Sequence, residues 1–117
     1  MIEQIEAGSE RGNFLASILA GQASRWSWAP GIDFTFNQES VGSGVALNIR
    51  RQFQPPGLYD RALAKRFQEA LSYEGCYLCL DSGETFILWH AVREECRDIA
   101  TLQCIVNRLL DLAGLPH

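Results

Sequence analysis

The sequence predicts an α+β fold: a single domain in which an antiparallel sheet of four to five strands carries three helices, in the order α-β-β-(β)-α-β-β-α. Three observations carry the prediction. Apolar residues recur at helical spacing in three separate segments, they alternate in the segments between, and the strands come in runs, which favours antiparallel pairing. A chain of 117 residues with 47% apolar and 21% charged residues is accounted for by one globular domain over residues 1–117.

The first helix is expected near residues 9–22, because Phe14, Leu15, Ile18 and Leu19 share one helical face and Gly21 and Pro30 stand where it must stop. Gly12 weakens its first turn by about 1 kcal/mol relative to alanine. The period then changes to two. Ile32, Phe34 and Phe36 alternate with polar residues, as do Val45, Leu47 and Ile49, giving two strands around a hairpin loop at 37–40. A further strand at 26–29 would be held to a sheet edge by Pro30, and Gly42 and Gly44 read as a bulge or tight turn. Pro55-Pro56-Gly57 breaks the chain before a second helix over 58–72, on which Leu63, Phe67 and Leu71 recur every four residues. Residues 76–80 and 85–91 form a hairpin around the turn residues Asp81-Ser82-Gly83-Glu84. Asp98 is placed to cap the last helix, where Ile99, Leu102, Val106, Leu109 and Ala113 follow one face until Gly114 and Pro116.

Fourteen acidic against ten basic residues give a net charge of −4, the wrong sign for a protein that grips a phosphate backbone, so nucleic acid is not an expected partner. The opening Met1-Ile2-Glu3-Gln4-Ile5-Glu6 lacks the apolar run of a signal peptide, and no stretch approaches the roughly 18 apolar residues of a membrane span. A cytoplasmic location and four reduced cysteines follow as expectations.

The chemistry-bearing residues do not assemble into a catalytic or metal site. Cys76 and Cys79 have the spacing of a metal knuckle, but Cys96 and Cys104 are separated by seven residues rather than two, and cysteines at i and i+3 on a strand face opposite ways. His90 has no nucleophile and acid converging on it, and Ser43 lacks the strand-turn-helix setting of a nucleophile elbow. Arg50-Arg51 and Glu94-Glu95 read as solvated charges, the latter near the positive end of a helix. No enzyme activity, metal or cofactor is expected. Trp26 and Trp28, set among Ser24, Arg25 and Ser27, suit a contact surface as well as a core, whereas Trp89 suits burial in the core or a dimer.

Over residues 30–115 the chain resembles the class I type III secretion chaperones of the CesT/SycE-like fold, and within them the SycN-type chaperones of YopN-type gatekeepers. The likeness lies in Gly44-Val45-Ala46-Leu47-Asn48-Ile49-Arg50-Arg51, in Ala62-Leu63-Ala64-Lys65-Arg66-Phe67, in Phe86-Ile87-Leu88-Trp89 and in the apolar pattern from Leu102 to Leu112. The resemblance implies a non-enzymatic bacterial cytoplasmic dimer, of identical or different chaperone chains, that holds an extended segment of a secreted gatekeeper or effector, in the setting of virulence. It implies a dimer contact at Leu63, Phe67 and Leu71, to which Trp89 is added on its own chemistry, and a partner groove on the strands carrying Phe34, Phe36, Val45, Leu47 and Ile49, to which Trp26 and Trp28 are added in the same way. The alternatives are a small α+β ligand-binding or regulatory domain whose apolar residues only fill a core, and, further off, a small thiol or metal enzyme.

Overall fold

The computed structural model describes residues 2–39 and 42–116. Three helices, α1 (Ile2–Leu19), α2 (Leu58–Gln68) and α3 (Ile99–Ala113), pack on one face of a five-stranded antiparallel sheet made of β1 (Ser24–Ala29), β2 (Ile32–Glu39), β3 (Gly42–Ile49), β4 (Cys76–Leu80) and β5 (Phe86–Ala91). The spatial order is β1-β2-β3-β5-β4, so β1 and β4 are the edges. The fold class and element order are those expected, with the optional strand at 26–29 present.

Register explains the layering. Trp26, Phe34, Leu47, Leu88 and Leu78 stand opposite one another across all five strands. They form one row of the face that meets the helices, and Phe34, Phe36, Val45, Leu47, Ile49, Phe86 and Leu88 of that face are fully buried. Phe14 of α1 reaches Phe34 with ring centroids 6.1 Å apart, and Tyr59 of α2 meets Phe86 edge-on at 5.2 Å. From α3, Leu102, Val106, Leu109 and Leu110 complete the core. Burial of this many large aliphatic and aromatic side chains, at about 1.5–3 kcal/mol each, is what offsets chain entropy.

Several boundaries differ from expectation. Helix α1 starts at Ile2, well before residue 9, and Gly12 sits within it where an added Cβ would meet nothing within 4 Å. Strand β2 runs through Glu39, so residues 37–39 are strand; Ser40, the last residue of the expected loop, lies outside the described residues. Gly42 and Gly44 belong to a β3 paired with β2 in unbroken register, so the expected bulge is absent there. The sheet's irregularity lies instead between Ser27 and Ala29. Helix α2 ends at Gln68, because the chain must turn to bury Tyr73 and Cys76; Gly75, at φ +90, completes that turn. Leu71 is therefore beyond the helix.

The final helix matches its signals. Asp98 Oδ1 accepts the Thr101 amide at 2.9 Å, and Gly114 ends the helix at φ +75.

Candidate functional site

The catalytic and metal readings can be judged by geometry. Cys76 is buried on the helix side of β4 while Cys79 is exposed on the other, as strand alternation requires. Among the described residues no three His, Cys, Asp or Glu side chains cluster for a metal ion. Burial pushes the Cys76 thiol up, away from the nucleophilic thiolate, an effect only partly opposed by Arg108 and Arg66. His90 Nδ1 lies 2.7 Å from the Ala91 carbonyl and its Nε2 lies 3.4 Å from Arg108 Nη1. Both contacts suit a neutral ring that donates from Nδ1 and accepts at Nε2. Burial, followed by the Arg108 charge, holds the His90 pKa below its ordinary value, with the Ala91 bond opposing. The Ser43 hydroxyl accepts from Arg97 at 3.2 Å, which occupies it structurally.

What the fold leaves outward is apolar surface. On α2 the buried residues are the inward Leu58 and Ala62, while Leu63 is 47%, Phe67 87% and the following Leu71 90% exposed. The outer face of the sheet adds to this. Ala46, Trp89 and Tyr77 form a row there, with Ile87 half-buried beside them. Trp89 packs against Tyr77 at 5.7 Å between centroids and lies over Gly44, where a Cβ would fall inside the indole. Across β1–β3 the same face is polar: Arg25 pairs with Asp33, and Asn48 donates to Asp33 Oδ1 at 3.0 Å and to Thr35 Oγ1 at 3.2 Å. Tyr77 and Ile87 were not singled out from sequence, although their alternation with Cys76, Leu78 and Leu88 places them together.

The groove candidates divide differently. Phe34, Phe36, Val45, Leu47 and Ile49 are sealed beneath the helices and present no surface to a partner in the folded chain, a correction to their expected groove role. Strand alternation pointed them to one face; the helices cover that face. Trp26 and Trp28 are half-buried against the core. Trp26 stacks on Phe34 at 5.1 Å and lies 5.8 Å beneath the Arg11 guanidinium, which also reaches Asn107. Beside it, Glu10, Asn13, Phe14, Ser17, Ser24, Arg25 and Ser27 line with Trp26 an open cavity of about 320 Å³ between α1 and the edge strand β1. Of the two tryptophans, Trp26 lines this cavity.

The HrpV-like family model matches residues 2–117. A comparison with curated proteins finds no match. Among solved structures, a chain of the heterodimeric complex ExoU-SpcU from the type III secretion system of Pseudomonas aeruginosa is similar over 79% of this chain and 77% of its own, with a TM-score of 0.56 and 18% identity. At that identity the likeness establishes the fold. Among the described residues, no helix is long and apolar enough to cross a membrane.

Proposed function

The chain belongs to the HrpV-like family, and from that premise we propose that it is a non-enzymatic type III secretion chaperone that holds an extended segment of a secreted protein in the cytoplasm. The observation that carries this reading is the fold it shares with a chain found in the heterodimeric ExoU-SpcU complex of a type III secretion system. The arrangement of surfaces supports it. Edge strand β1 has an unpaired side, and an extended segment can add to it through main-chain hydrogen bonds while its side chains enter the cavity beside Trp26. Such holding requires no nucleotide and no catalytic group. The dimer contact draws on Leu63, Phe67 and Leu71, which stand exposed on and just after α2, and on Trp89, half-buried on the outer face of the sheet. The client is a gatekeeper of the YopN type or an effector, and the second subunit is an identical chain or a different chaperone.

Co-expression with proteins encoded beside it, followed by affinity purification and light scattering, tests the reading. A stable complex with one secreted protein, whose bound segment is disordered when free and protected from proteolysis when held, is the expected result. A chain that stays monomeric and unbound with every neighbour present overturns it.

A further inference from the structure

Between the end of β5 and one face of α3 lies a cleft of about 340 Å³, separate from both the β1 groove and the α2 face. Val92 and Ile105 are buried and give it an apolar floor. Two arginines, Arg93 and Arg108, stand in its lining, and among the described residues no acid does. The acids closest in sequence are placed otherwise. Asp98 accepts from the Thr101 amide and hydroxyl, each at 2.9 Å, as the cap of α3. Glu95 meets Arg93 at 3.7 Å with the two side chains 70% and 76% exposed, a pairing of little strength in water. Arg108 Nη1 lies 3.4 Å from Nε2 of the neutral His90 ring, which offsets none of its charge. Beyond Arg108 and Cys104 the setting changes, because Glu69 and Asp111 line the adjoining cavity. The purely basic lining is thus confined to the one cleft.

We propose that this cleft binds a small aliphatic monocarboxylate, its hydrocarbon chain over Val92 and Ile105 and its carboxylate held by Arg108 and Arg93. The floor is made by two hydrocarbon side chains with no polar group to satisfy, so it selects a hydrocarbon ligand. The guanidiniums supply forked donors that match a carboxylate and disfavour an ammonium at the same place. Size points the same way, since the cleft lies at the lower end of the roughly 300–1,000 Å³ of small-molecule pockets. Glu69 and Asp111 next door repel any further negative charge along α3, which limits the ligand to one anionic group and excludes an acidic chain running on. The inference stands apart from the chaperone reading, because it needs neither a dimer nor a type III client.

The test is a titration of the isotope-labelled full chain with octanoate, octylammonium and octanol, and with the peptide acetyl-Ala-Ala-Leu bearing a free carboxylate, followed by amide chemical shifts. Octanoate is expected to move resonances of residues 90–93 and 101–108, and octylammonium to leave them in place. Arg108→Gln should weaken octanoate about tenfold, the scale of one charge-assisted hydrogen bond, and Arg93→Gln about threefold, the scale of an exposed charge pair. Because Arg93 is so exposed, its variant retains the fold and keeps the test decisive if Arg108→Gln does not fold. Absence of any response to octanoate, equal binding of octylammonium or octanol, or unchanged octanoate binding in Arg93→Gln overturns the proposal. Tighter binding of the peptide than of octanoate also overturns it, by making the occupant a chain terminus.

Discussion

Trp26 is held on one side by Phe34 and on the other by the Arg11 guanidinium, with part of its ring left open to the cavity beside β1. Trp26→Ala is therefore expected to cost about 2–3 kcal/mol of stability, at or just below the range for a fully buried tryptophan, read from the urea midpoint. A loss confined to partner affinity would remove Trp26 from the core. Gly44 makes a complementary test, since its bare backbone seats the Trp89 indole. Gly44→Ala should displace the ring, shift its fluorescence to the red and cost about 1–3 kcal/mol, as overpacking does. His90 adds a pH dependence. Its folded pKa is lowered, mainly by burial, with Arg108 acting in the same direction. The unfolded chain thus takes up the proton first as pH falls below about 6.5. The contribution of His90 to stability is full above that value and is lost as pH falls through the folded pKa. Urea midpoints from pH 7.5 to 5 should show this slope, and His90→Gln should remove it.

At the level of elements, the β4–β5 turn concentrates several interactions at one strained position. Asp81 Oδ1 accepts the Gly83 and Thr85 amides, Gln54 ties the Glu84 carbonyl to that of Ile49, and Glu84 itself is left at φ +63. Glu84→Gly should raise stability by about 0.5–1 kcal/mol, because relief of left-handed strain exceeds the added backbone entropy. For α2 the expected pair of results is different. Phe67→Asp should turn a dimer into monomer by light scattering, while the isolated chain's stability changes by less than about 0.5 kcal/mol, since Phe67 is exposed within it. The same helix shows where sequence reading stops. Its large apolar residues Leu63 and Phe67 face outward and the smaller Ala62 faces inward with Leu58, so periodicity finds the stripe without saying what covers it. Alternation likewise grouped Phe34, Phe36, Val45, Leu47 and Ile49 on one face, but which face the helices occupy depends on packing between distant segments. The signals for α3 were local, in Asp98 and Gly114, and its limits were legible for that reason. The first turns of α1 carry only Ile2 and Ile5 as periodic apolar residues, too few to mark a start.

For the whole molecule, the two faces of the sheet have opposite fates. One is closed by three helices; the other is polar at β1–β3 and aromatic toward β4 and β5. The order β1-β2-β3-β5-β4 has a further consequence for how the chain reaches this state. The first three strands pair with sequence neighbours, but Ile49 of β3 meets Phe86 of β5 only after the whole of α2 and β4 has been looped out. Closing that loop loses entropy before the contacts return it, so the seam between β3 and β5 should be the late, rate-setting event of folding. Substitutions at Leu88, in the seam, and at Thr35, in the meander formed before it, would then both slow folding with little change in the unfolding rate. Until the seam closes, the meander's β3 has a bare edge, and a newly made chain is exposed to pairing with another strand at the position its own β5 will later take.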